Sequence, residues 1–97
     1  MKDWKERLAE SKWMTDADKT LFLKFAEDAV ARQIGERRIE KYRSDFASAH
    51  YMTGMSLSAM VKNFDGLKQA VSKINGDKQQ YSAITKKDVK RQLGSLY

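Results

Sequence analysis

Apolar residues recur along this chain at intervals of three and four, the spacing of one face of an α-helix, in several stretches separated by short breaks. Residues 3–12 predict a short charged helix carrying Trp4 and Leu8, with Trp13 beside it. Thr15 and Asp18 have the spacing of a capping box, which opens a helix running to about Gln33 on the stripe Leu21, Phe22, Phe25, Ala26, Ala29 and Val30. Gly35 suits the left-handed position that ends such a helix. The next helix, from Glu36 to about Thr53, buries Ile39, Tyr42, Phe46 and Ala49 and stops at Gly54.

Beyond Gly54 the pattern breaks. Leu57, Met60, Val61 and Phe64 suggest one or two turns, and Asp65 is the expected cap of a helix bearing Leu67, Val71 and Ile74. Asn75-Gly76-Asp77 is a turn signal, and residues 77–84 form a loop. A second capping box, Thr85 with Asp88, opens a final helix with Val89, Leu93 and Leu96 on one face. Gly94 interrupts that helix at about 1 kcal/mol relative to alanine, so it marks either a close packing contact or a weakened last turn. The expectation is an all-α protein, a compact four- to five-helix bundle.

Composition narrows the class. The 97 residues make one domain with a modest core, and the absence of proline favours helices throughout. Without cysteine there is no disulfide framework, and the charged first residues lack the apolar stretch of a signal peptide. No apolar run is long enough to span a bilayer. These features predict a cytoplasmic location.

The single histidine, His50, reads as a buried or boundary side chain, since no second histidine or cysteine is available for a metal site. The five glycines stand singly, so there is no phosphate loop, and Asp16 and Asp18 read as first-turn residues favoured by the helix dipole. No enzyme site, metal, cofactor or small-molecule ligand is expected.

The charge is more informative. The net charge is +6 and the pI about 9.6, which makes an anionic partner plausible. From Lys78 to the end there are five basic residues and one acidic, +4 of that total. Lys86, Lys87, Lys90 and Arg91 cluster beside the apolar face of the last helix, with Lys78 in the loop before it. A second group, Arg37, Arg38, Lys41 and Arg43, opens the third helix. Both groups stand near helix N-termini, where unpaired N–H groups and the dipole favour a phosphate. Glu36, Glu40 and Asp45 nearly neutralise the earlier group, so a solvated face suits it as well as a DNA contact, whereas the later group faces only Asp88. Phe22, Phe25, Phe46 and Phe64 fall on apolar stripes and read as core; Tyr42, Tyr81 and Tyr97 are open between packing and base stacking.

Laid end to end, Gly35, Arg38-Ile39-x-x-Tyr42-x-x-x-Phe46, Leu67-x-x-x-Val71, Tyr81-Ser82 and Thr85-x-x-Asp88-x-x-x-x-Leu93 resemble the N-terminal core-binding (SAM-like) domain of tyrosine recombinases, in its archaeal or phage integrase form. The resemblance covers roughly residues 15–97, with residues 1–14 as a leader or short helix. It implies one jaw of a clamp on double-stranded DNA, a nucleoid-associated protein that oligomerises on DNA, and DNA contacts by the two basic groups. In that family strand cleavage belongs to a following catalytic domain with His-x-x-Arg and a late tyrosine. His50 is followed by Tyr-Met-Thr, so the catalytic part is expected beyond Tyr97. The alternative is a small helical interaction module whose basic face meets an acidic protein partner.

Overall fold

The computed structural model describes residues 4–77 and 81–96. They form six helices and no strand: α1 (Trp4–Glu10), α2 (Asp16–Ala31), α3 (Glu36–Thr53), α4 (Leu57–Val61), α5 (Phe64–Asn75) and α6 (Ala83–Leu96). The all-α expectation holds, with α1 and α4 as short helices of their own. The longest helix, α3, is the centre of the bundle and packs against α1, α2, α4, α5 and α6.

The core is continuous from end to end. Phe22, Ala26, Ile39, Phe46, Ala49, Leu57, Met60, Ala70, Ile74, Val89 and Leu93 are fully buried. Phe46 meets Phe22 and Phe25 edge-on at 5.8 and 5.7 Å between ring centroids, a geometry that aromatic quadrupoles favour. Tyr42 packs edge-on against Phe25 at 5.3 Å, which assigns it to packing. Tyr81 also lies against the core. Trp4 and Leu8 bury α1 in the bundle, while Trp13 stacks on His50 at 5.2 Å. The half-buried His50 points Nδ1 at the Met55 carbonyl, 2.9 Å away; a carbonyl only accepts, so that nitrogen carries the proton.

The Thr15–Asp18 capping box forms as the sequence predicts. Asp18 does more than cap. Its Oδ2 accepts from the Thr15 N–H at 3.2 Å, while Oδ1 accepts from the Ser58 N–H at 2.8 Å and from the Ser58 hydroxyl. One fully buried carboxylate therefore ties the start of α2 to the start of α4. Burial pushes its pKa up, but the hydrogen bonds from Ser58 and Thr15 outweigh burial and hold it below the usual value.

Several expectations are corrected. The left-handed residue after α2 is Gln33 (φ 63°), not Gly35, which has φ −70° and stands as the N-cap of α3. The bend is reached two residues early because the chain turns directly after Ala31. Gly54 (φ 69°) does end α3 in the left-handed form. The cap of α5 is Asn63, whose Oδ1 accepts from the Gly66 N–H at 2.8 Å, so Asp65 sits inside the first turn. Phe64, expected in the core, is 58% exposed, because α5 turns Ala70 and Ile74 inward instead. Val30 is likewise exposed at the end of α2.

The final helix starts two residues before Thr85. Ser82 Oγ accepts from the Thr85 N–H at 3.1 Å and fills the capping role, which leaves Asp88 for other work. A Cβ built on Gly94 would meet nothing within 4 Å, so Gly94 marks no close contact.

Candidate nucleic-acid interface

Val89 and Leu93 fix the rotation of α6 by pointing into the core. At about 100° per residue, Asp88 and Gln92 then face one flank, Lys86 and Lys90 the other, and Ile84, Lys87 and Arg91 point to solvent. The contacts agree. Asp88 meets Lys41 of α3, while Lys90 Nζ donates to Asn75 Oδ1 at 2.7 Å and Lys86 Nζ to the Asp77 carbonyl at 2.8 Å, both at the end of α5. Gln92 and Ser95 share a small groove with Tyr42 and Ile34, so α6 runs back toward the start of α3.

This packing sorts the basic residues. Lys41 Nζ lies 3.3 Å from Asp88 and 3.2 Å from Asp45, and Arg91 Nη2 lies 2.7 Å from the other Asp88 oxygen. The two basic groups thus meet across Asp88. Arg37 stands one turn from Lys41, and Lys87 one turn from Arg91, on the same outward side. Arg37, Arg38 and Lys87 are exposed, and their side chains make no ion pair or hydrogen bond among the described residues.

Three expected contacts are placed differently. Arg43 faces α1: its Nη2 pairs with Glu40 at 3.1 Å, a carboxylate that Arg7 also approaches at 3.4 Å, and its side chain is only 21% exposed. Residues 41 and 43 lie about 200° apart on a helix, so one cannot serve the face of the other. Lys86 and Lys90 are engaged with the end of α5, on the far flank from α3. Lys78 and Tyr97 fall outside the described residues. Nor do the cations of α6 crown its N-terminus. The helix starts at Ala83, and its antiparallel course sets its first turn at the opposite end from that of α3.

The electrostatics follow from the shared carboxylates. Burial would lower the Lys41 pKa, but hydrogen bonds and charge from Asp45 and then Asp88 outweigh it and leave it raised. Asp45 is raised, chiefly by burial and secondly by the like charge of Asp88, despite the opposing pull of Lys41. Asp88 therefore has a role that its position in a Thr-x-x-Asp motif concealed: it holds α3 and α6 together and screens two of their cations. Ile84, 74% exposed beside Lys87 and Arg91, was also not foreseen as part of this face; its place off the Val89–Leu93 stripe is the signal.

Among the described residues no three potential metal ligands come together, and no helix is long and apolar enough to cross a membrane. Compared with known protein families, with curated proteins and with solved structures, the chain matches none.

Proposed function

We propose that this chain binds double-stranded DNA through the outward face of α3 and α6, acting as the core-binding domain of a tyrosine recombinase of the integrase kind. One observation carries the reading. Two basic segments 47 residues apart in sequence are joined at Lys41–Asp88–Arg91, and Arg37 and Lys87 extend that surface to either side. The resemblance of the motifs to the integrase domain supports it independently.

Arg37, Lys41, Lys87 and Arg91 are the phosphate contacts, with Arg38 at the rim; such contacts position a protein without reading sequence. Ile84 is suited to apolar contact with a base methyl if the first turn of α6 enters a groove. Catalysis lies outside this set of residues. Half a clamp binds weakly, and its specificity belongs to the whole recombinase.

The test is fluorescence anisotropy with a labelled duplex of about 20 base pairs, titrated across salt. Four engaged cations give a log–log slope of about −3.6, at about −0.9 per phosphate. Lys87→Glu with Arg91→Glu should abolish binding while circular dichroism shows an intact fold. Absent binding at low salt, or binding indifferent to the double reversal, overturns the assignment and points to a protein partner.

A further inference from the structure

The face shared by α3 and α6 changes character along its length. On α3 its exposed ridge runs Arg37, Lys41, Ser44, Ser48 and Tyr51, within an arc of about 80° and over about 21 Å of helix. Both cations stand at one end. From Ser44 onward the ridge carries no charge, although one residue in three of this chain is charged. The charged neighbours turn away: Arg43 pairs with Glu40 on the α1 side, and the buried Asp45 lies against Lys41. The antiparallel α6 repeats the division. Asp88 is level with Lys41, so Ile84, four residues earlier, comes level with the stretch between Ser44 and Ser48. Val30, Tyr51, Phe64 and Ile84 are the exposed large apolar side chains among the described residues, and two of them, Tyr51 (61%) and Ile84, stand at this uncharged end.

The two ends suit different parts of a duplex. Cations neutralise phosphates, whereas base edges are read by neutral donors, acceptors and apolar groups. Ser48 Oγ donates to the Ser44 carbonyl at 3.1 Å, which leaves its lone pairs to accept from an exocyclic amine of adenine or cytosine. The Ser44 hydroxyl makes no hydrogen bond among the described residues, and the Tyr51 phenol both donates and accepts. Resting on the DNA reading above, we infer that Ser44, Ser48 and Tyr51 are the residues with which this domain reads bases in a major groove, while the cationic end of the same ridge holds the backbone. From Ser44 to Tyr51 is about 10 Å of helix, which spans about three base pairs at 3.4 Å each.

The probe is a pool of labelled duplexes of about 20 base pairs with a randomised centre, from which the bound fraction is recovered and sequenced. The wild-type domain should enrich a motif of about three adjacent base pairs and prefer it over a scrambled duplex at least fivefold, roughly the effect of one mismatched pair. Ser44→Ala/Ser48→Ala/Tyr51→Phe removes only the three hydroxyls. Alanine suits a helix and phenylalanine keeps the ring that meets His50 at 5.3 Å, so circular dichroism should show an intact fold. In this variant the preference for the motif should fall toward one. Lys87→Ala, at a phosphate contact, should instead weaken binding to motif and scrambled duplexes by the same factor. If the wild type binds duplexes but enriches no motif, or the triple variant keeps the preference, the inference is overturned while the DNA reading stands. If the wild type binds no duplex at low salt, both fall.

Discussion

Asp88→Asn should tighten DNA binding, although it removes two ion pairs. In the native protein this carboxylate lies 3.3 Å from Lys41 and 2.7 Å from Arg91, so both cations are already partly neutralised where a phosphate would approach. A phosphate hydrogen-bonded to either cation would stand about 6 Å from the carboxylate, roughly two hydrogen-bond lengths. At that distance in water the repulsion is about 0.7 kcal/mol per phosphate, or about 1.4 kcal/mol for two, which is roughly tenfold in affinity. At physiological ionic strength the Debye length is about 8 Å, so about half of this survives, leaving roughly threefold. The structural loss is small, because Lys41 and Arg91 are 53% and 66% exposed and such pairs contribute about 0.2–1 kcal/mol each. Asn preserves the shape and one acceptor. The assay is the anisotropy titration at several salt concentrations, with urea denaturation as the control for folding. Equal or weaker binding by a fully folded Asp88→Asn protein would refute this account of the face.

Other consequences concern the fold that carries the face. Asp18→Ala strips three hydrogen bonds from Ser58 and Thr15 and should cost about 3 kcal/mol in urea denaturation, with Asp18→Asn milder because its Oδ1 still accepts from Ser58. The folded-state pKa of Asp18 is lowered, so its contribution is present above the unfolded value of 3.8 and is lost as pH falls through the folded value; Asp18→Asn should flatten that acid limb. Gly66→Ala drives a methyl into the Ala59 carbonyl and should destabilise by about 1–3 kcal/mol, whereas Gly94→Ala meets open space and should gain up to about 1 kcal/mol; thermal melts that reverse this order would contradict the packing of α4 on α5. Ser82→Ala should cost about 0.5–2 kcal/mol as loss of the α6 cap, and a larger loss from Thr85→Ala would restore the cap to Thr85.

What could be read from the sequence was local. The Thr15–Asp18 box, the extent of α3 and its end at Gly54 depend on residues within a turn of each other, and all three stand in the structure as the sequence predicts. The expectations that failed needed information from elsewhere in the chain. Ser82 and Thr85 are both competent caps, and the pairing of Asp88 with Lys41, 47 positions away, accompanies the choice of Ser82. On α5 the stripe 67–71–74 and the stripe 70–74 are both helical, and only contact with α3, α4 and α6 selects the second and leaves Phe64 outside. The basic residues were visible as a set, but their division among α5, α1 and the outward face follows from how α1 and α6 pack on α3.

The central claim is that one surface, shared by α3 and α6, meets DNA, and amide chemical-shift mapping with a duplex of about 20 base pairs tests it most directly. The account predicts perturbations concentrated at Arg37, Lys41, Ile84, Lys87 and Arg91, fading as salt is raised, with Phe64, Leu67 and Val71 unmoved. A footprint centred on α5 or on the Arg7–Arg43 side, or a spectrum that DNA leaves unchanged at low salt, would contradict it.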